Sequence, residues 1–352
     1  LTATDMQPGG SIEQLEKYES MRVSVASLTV VAPTDGNVTE TSATSASTGV
    51  FFAVITGTAR PFREAGIEAS EPPPSGGGTI PPIPRFDGNA ERLRVDSDAQ
   101  TGASVLNVTT GVTITNMVGV LDFFFRNYTL LPDPSSPHIV SSNLSATPLP
   151  DPTANEFTVA SFNLERFFDT VNDGNGAPTL TATAFANRLN KASLAIRNIL
   201  RTPDILGVVE VENLSTLQTL ANKINTDAGV NNPQYVAYLS EGNDPGGIDV
   251  GFLVKTAIVV GATPRVTVSA VVQEGLTTTY TNPNTGAQDL LNDRPPLRLN
   301  AIVNHADGRN FPITVIVNHL RSLNGINDPT VSGSGTEGAR VRAKRQAQAV
   351  FL

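Results

Sequence analysis

DILGVVEVEN, residues 204–213, is the stretch on which the reading of this chain turns. A short apolar run at 205–209 ends at a carboxylate, Glu210. Apolar runs of this length, bounded by polar turns, read as strands buried on both faces. Polar groups that emerge where such strands end converge on a crevice, the usual place for chemistry in a sheet protein. Three further segments repeat the arrangement. SFNLERFFD at 161–169 offers Asn163, GGIDVGFLVK at 246–255 offers Asp249, and VIVNHLRSLNG at 315–325 offers His319. An amide, a carboxylate and an imidazole at strand ends point to metal-assisted attack on a phosphate ester.

Around these strands the hydrophobic period changes. FTVASF, from Phe157, is a strand. AFANRLNKASLAIRNILR at 184–201 places Phe185, Leu189, Ala192, Ile196 and Ile199 on one helical face, and Pro203 lies just beyond. A second helix is predicted over 215–226, with Leu217, Leu220, Ala221 and Ile224 inward. Strands follow near 234–239, 248–254, 266–272, 297–304 and 313–318, and a helix over 338–352. Strand, helix, strand, helix and then several strands predict a mixed α/β sandwich from 157 onward.

The N-terminal half reads differently. MRVSVASLTVV at 21–31, GVFFAVITGTA at 49–59, SVLNVTT at 104–110 and GVLDFFFRNYTLLP at 119–132 are strand-like and separated by turn residues. That spacing predicts an all-β barrel or sandwich over 21–132. EPPPSGGGTIPPIPR at 71–85 is a loop, because its prolines and glycines exclude helix and central strand. Residues 1–20 read as a polar lead-in. Residues 133–156 have the Pro, Ser and Asp content of a linker, with His138 as a solvated residue within it.

The chain has 352 residues, 39% hydrophobic and 16% charged, which suits globular domains rather than disorder. It has no cysteine, so disulfides and thiolate metal sites are excluded. No apolar run is long enough to span a bilayer, so no stable membrane insertion is expected. The net charge of -9 argues against a non-specific nucleic-acid coat, which draws on Lys and Arg. It leaves room for a nuclease, since a metal can neutralise one scissile phosphate locally.

The four quoted segments resemble the endonuclease/exonuclease/phosphatase superfamily, with its deoxyribonuclease I-like fold, and within it the branch of large secreted bacterial nucleases. In that family an Asn follows the first strand, a Glu closes the next, and a His ends a later one. Here these are Asn163 after FTVASF, Glu210 after DILGVV and His319 after ITVIVN. The entry LEKYESMRVSV and the exit GVLDFFFRNYTLLP resemble the OB-fold-like domain that precedes the nuclease domain in some members. The family's Gly-Asp-x-Asn and late Ser-Asp-His segments do not occur. The expectation is therefore a sandwich incomplete at its C-terminus, weakly active, with an exposed apolar strand edge.

The resemblance implies a secreted phosphodiester hydrolase acting on DNA or RNA. Mg2+ is the implied ion, with Mn2+ and Ca2+ as alternatives. Glu210 and Asn163 would hold it, His319 would act as general acid or phosphate ligand, and Glu241 would orient His319. Asn318, Arg321 and Arg294 are the candidate phosphate contacts; Arg is the better fork for a phosphate. Arg294 reads equally as a solvated loop residue, and Asp249 equally as a structural buried acid or a substrate contact. Glu212 is a lesser metal candidate, and Asp169 a loop carboxylate. Arg340, Lys344 and Gln348 share a face of the last helix, which reads as solvated more readily than as a nucleic-acid surface. The Gly-rich EGNDPGG and VSGSGTEG lack the phosphate-loop signature. Two other functions fit the same residues: a phospholipid or sphingolipid phosphodiesterase on the same fold, or a non-catalytic binding or adhesion module built on the β domain.

Overall fold

The computed structural model describes residues 1–59, 67–68, 85–86, 90–124, 127–136, 139–141, 145–174 and 176–352. The loop read at 71–85 lies almost entirely outside the described residues, and His138 wholly so. The chain divides into two compact units. One is Leu1–Thr39 with Thr44–Ser145; the other is Ala146–Leu352 with the short segment Glu40–Ala43.

Five strands form the barrel of the first unit: β1 (Arg22–Ala32), β2 (Val50–Ile55), β3 (Leu93–Asp96), β4 (Thr113–Phe124) and β5 (Asn127–Pro132). Their order is β1-β2-β3-β5-β4, and β4 pairs back onto β1, so the sheet closes into a barrel. The β3–β5 pair is parallel and the other four are antiparallel. A short strand β6 (Ile139–Ser141) extends the sheet beside the start of β4. Ile114, Met117 and Leu121 of β4 are fully buried, as are Val25 and Leu28 of β1. Alternation skips a residue in each strand, at Ala26 and Asn116, where the ladder has a gap. Asn116 takes φ +57 there. Gly119 is required by close approach, since a Cβ would lie 2.1 Å from the Leu131 carbonyl oxygen.

Two expectations fail in this unit. Residues 1–20 are not a mere lead-in: Met6 and Leu15 are 0% and 1% exposed and belong to the barrel core. Polar neighbours masked two isolated core residues in the sequence. Residues 104–110 form no strand. The Thr34 hydroxyl donates to the Leu106 carbonyl and accepts from the Val108 amide, so a side chain replaces a ladder partner.

Two larger sheets form the frame of the second unit, beside short two-stranded ones. The first contains β7 (Val159–Phe167), β8 (Ile205–Val211), β9 (Tyr235–Leu239) and β10 (Asp249–Lys255), in the order β7-β8-β10-β9. The β7–β8 pair is parallel, joined through α1 (Ala182–Leu194). The second contains β11 (Val266–Gln273), β12 (Leu297–Asn304) and β13 (Asn310–Val317), all antiparallel and in chain order. Leu206 and Val208 of β8 pack on one face with α1 and α2 (Leu214–Asp227). Ile205 and Val209 pack on the other face with Leu297, Leu299, Ala301 and Val303 of β12. Burial on both faces is why this strand reads as a continuous apolar run.

In α2, Leu217, Leu220, Ala221 and Ile224 are fully buried, and Asn213 caps its start by accepting the Thr216 amide. The helix read to Arg201 instead widens into a π turn at Ala195–Ile199. Arg201 and Thr202 then take positive φ, so the helix has ended before Pro203 acts. The last helix, α3 (Glu337–Phe351), corrects the solvated-face reading. Lys344 and Gln348 are 7% and 2% exposed and turn inward.

Candidate active site

Glu210 owes its direction to a bulge. Regular alternation from Leu206 and Val208 would point residue 210 into the helical core, where Val211 lies instead. The ladders to both neighbouring strands shift register here, between Asn163 and Phe167 on β7 and between Val209 and Val211 on β8. Glu210 takes φ +62, and Glu165 and Arg166 take φ +55 and +53. Left-handed backbone at non-glycine residues costs on the order of 1–2 kcal/mol each and clusters where function requires it.

The bulges bring side chain and backbone together. Asn163 Nδ2 donates to Glu210 Oε1 at 2.9 Å, and the Arg166 amide donates to Glu210 Oε2 at 3.0 Å. Asn163 Oδ1 accepts the Glu165 amide at 2.7 Å, so this residue both closes the turn and touches the carboxylate. His319, two residues beyond β13, sets Nε2 3.5 Å from Glu210 Oε1. The Glu210 and His319 side chains are 19% and 22% exposed, within reach of a ligand. Asn163, Glu210 and His319 thus meet where β7, β8 and β13 end.

Burial, followed by the positive charge of Arg294, pushes the His319 pKa below its ordinary 6.5; Glu210 and Asp244 oppose this. The shift favours the neutral imidazole. Its Nδ1 is buried without a hydrogen-bond partner, as is Asn318 Oδ1. Glu241 does not orient the ring. It hydrogen-bonds Asp249 instead, and burial together with the Glu241 charge pushes Asp249 up to about 8. The loop at 240–242 explains the difference. Gln273 Nε2 holds the Ser240 and Glu241 carbonyls at 3.0 and 2.8 Å, and Gly242 sits so close that a Cβ would lie 2.6 Å from Asp249 Oδ1. Asp249 is 4% exposed, a buried acid at the start of β10.

Arg294 is not a solvated residue, nor does it present an open fork. Its side chain is 10% exposed. Nε donates to the His319 carbonyl at 3.3 Å, Nη2 to the Leu320 carbonyl at 3.1 Å, and Nη1 pairs with Asp244. Arg321 turns to its own loop, at Ser322 Oγ and the Asn324 carbonyl. The Asn318 amide group reaches only the Ile316 carbonyl, at 3.5 Å.

Glu212 and Asp169 are 2% and 8% exposed and tie strand ends together. Glu212 Oε2 accepts the Asp169 amide at 2.8 Å, and Thr216 Oγ1 donates to Asp169 Oδ2 at 2.9 Å. Burial raises the Glu212 pKa. Its carboxylate faces the start of α2, which removes it from the metal candidates.

Three residues near Glu210 were not singled out in the sequence. Arg166 contributes its amide, and its guanidinium lies over the Phe168 ring at 5.1 Å. Asp244 pairs with Arg294. Arg188, on α1, donates to the Glu165 carbonyl and braces the bulge. Asp244 sits in the Gly-rich EGNDPGG, where a turn acid gives no periodic signal.

Among the described residues no three His, Cys, Asp or Glu side chains form a cage for a metal. Glu210 and Asn163 are hard oxygen donors at an accessible strand end. That set fits an ion such as Mg2+, which binds through one or two carboxylates and keeps several waters.

Residues 158–310 match the model of the Endonuclease/Exonuclease/phosphatase family, which supports placing the second unit in that superfamily of hydrolases. Residues 4–141 match a domain of unknown function (DUF8508). No curated protein and no solved structure matches the chain.

Proposed function

We propose that the second unit is a metal-dependent phosphodiester hydrolase with the deoxyribonuclease I-like sandwich, acting on nucleic acid outside the cell. The observation that carries this reading is the meeting of Asn163, Glu210 and His319, the first two inside the stretch with the family match and His319 just beyond it. The lowered pKa of His319 favours its neutral form, which suits it to take the proton of a water that attacks phosphorus as the P–O bond to the departing alkoxide breaks. This favours proton acceptance over the general-acid or phosphate-ligand role that the resemblance implies. Glu210, 3.5 Å from the ring, then faces the imidazolium and stabilises it. Glu210, with Asn163 beside it, would hold Mg2+. The ion would supply charge stabilisation at the phosphoryl oxygens.

The first unit has the strand order of an OB-fold, 1-2-3-5-4 closing on 1, with one parallel pair. We read it as an OB-like barrel that places the chain rather than contributing chemistry. Such barrels grip single strands through stacked aromatics and a basic groove. Phe123 and Phe124 are exposed at the end of β4, but the chain is acidic overall, so the grip is weak.

The test is release of nitrophenol from bis(4-nitrophenyl) phosphate, run beside cleavage of duplex DNA, RNA and sphingomyelin, with Mg2+ and with chelator. Magnesium-dependent turnover that His319→Ala removes supports the hydrolase reading, and the preferred polymer or lipid assigns the substrate. Turnover indifferent to both chelator and His319→Ala would sink it.

A further inference from the structure

We propose that Arg294 is a positioning residue for His319, fixed in place by Asp244, and not a contact for the substrate phosphate. The proposal rests on the reading of His319 as the proton acceptor.

His319 lies beyond the last ladder pair of β13, so the sheet does not fix its backbone. Side chains do. Arg294 donates to the carbonyls of His319 and Leu320. The next residue, Arg321, is held from α3: its amide donates to Gln348 Oε1 at 2.9 Å, and its carbonyl accepts from Arg345. Three successive peptide groups are thus clamped by groups distant in the chain.

Arg294 is itself braced. Asp244 takes its Nη1 and is only 9% exposed. The Asp244 loop is shaped by the Gly246 amide donating to Asp244 Oδ1 at 2.6 Å. It is tied to the neighbourhood of Arg294 by the Asn243 amide, which donates to the Asp293 carbonyl at 2.7 Å. Lys344 grips the Asp293 carboxylate at 2.8 and 2.9 Å, and Gln348 also donates to the Leu291 carbonyl at 3.0 Å. The polar inward face of α3 therefore braces both the Arg294 loop and the His319 loop.

The guanidinium geometry matters here. A planar fork spans two adjacent carbonyls and one carboxylate at once, which an ammonium cannot do. Three of its five N–H groups are already used, and little of the side chain meets solvent. A displacement of about 1 Å at a proton acceptor costs about 100-fold in rate.

The experiment compares Arg294→Ala, Arg294→Lys, Asp244→Asn and the Arg294→Ala/Asp244→Asn double variant in the intact chain. Turnover of bis(4-nitrophenyl) phosphate gives one readout, and hydrogen exchange of residues 318–322 without substrate gives the other. Arg294→Ala and Arg294→Lys are expected to lose about 10- to 100-fold in kcat with KM nearly unchanged. Asp244→Asn should lose less, and the double variant should be no worse than Arg294→Ala. Millimolar guanidinium should restore part of the Arg294→Ala rate. Exchange at 318–322 should quicken in all four variants. A tenfold rise in KM with kcat intact would make Arg294 a phosphate ligand and overturn the proposal, as would unchanged exchange. Should Arg294→Ala fail to fold, Arg294→Lys, which keeps charge and reach, and Asp244→Asn, which keeps size, carry the same comparison. Quickened exchange in a chain that cleaves no phosphodiester would uphold the clamp on His319 and remove the hydrolase reading instead.

Discussion

The barrel and the strand-end site of the second unit solve opposite problems. In the barrel, Phe51, Leu93, Ile114, Met117, Leu121 and Leu130 are all fully buried, so the strand order is held by apolar packing. Among its described non-glycine residues, positive φ falls at Asn116 and Ser20, both residues that tolerate or favour turns. At the site, three charged residues, Glu165, Arg166 and Glu210, adopt left-handed backbone, and two polar side-chain atoms at 318 and 319 are buried without partners. A sequence selected only for stability would place Gly or Asn at such backbone positions and satisfy such atoms. The difference teaches where to look for function: single departures also occur elsewhere, as at Arg201, Thr202 and Gln234, but at these strand ends left-handed charged residues and unpartnered polar atoms occur together.

The largest expected effect tests that division directly. His319→Ala should lower kcat by about 10²- to 10⁴-fold, the range for loss of a general base, while the melting temperature moves little. The reverse is expected in the barrel. Phe51→Ala should cost about 3–5 kcal/mol of stability, the range for removing a buried aromatic ring, and leave turnover per folded molecule unchanged. The pair is measured by steady-state kinetics and urea unfolding. If Phe51→Ala also lowers kcat, or His319→Ala also unfolds the chain, the division is not real.

What could be read beforehand follows the same line. The apolar runs of β8 and β10 and the inward stripe of α2 were legible because burial imposes a period. Asn163, Glu210 and His319 were legible because each ends such a run. Glu241 was misread and Asp244 passed over for one reason: both lie in a glycine-rich loop where no period constrains direction, and tertiary contacts from Gln273 and Arg294 decide it. Lys344 and Gln348 were read as solvated because a polar face normally is; their partners, Asp293 and the Leu291 carbonyl, are some fifty residues away. The bulge that turns Glu210 leaves no mark in DILGVVE. It shows only when the ladders to β7 and β10 are compared.

A smaller effect separates the buried acid Asp249 and its neighbour Glu241 from the site itself. Asp249 releases its proton near 3.8 when unfolded and near 8 when folded. A raised folded pKa gives stability that is full below the unfolded value and is lost as pH rises through the folded value. Asp249→Asn should therefore flatten the decline in stability between about pH 4 and 8, read as urea midpoints across that range. His319 should set a different profile. Its pKa lies below 6.5, so the acid limb of kcat/KM should fall below that value and persist in Asp249→Asn. A limb that moves with Asp249→Asn would join the acid pair to the catalytic proton and blur the distinction.

The smallest effect concerns backbone strain. Glu165 is exposed and has φ +55, and its known ties, to Asn163 and Arg188, run through its own amide and carbonyl. Glycine keeps those ties and relieves the left-handed penalty, so Glu165→Gly should stabilise the chain by roughly 1 kcal/mol. Asn116→Gly, at φ +57 in the barrel, should give only a few tenths, because asparagine already accepts this conformation. Urea unfolding of the two variants decides between them. Equal gains would mean that the bulge beside Glu210 is no more strained than the backbone at Asn116, and that left-handed backbone at this site is ordinary turn geometry. A larger gain at 165, with kcat reduced because the bulge has loosened around Glu210, would show that the strain holds the carboxylate toward His319.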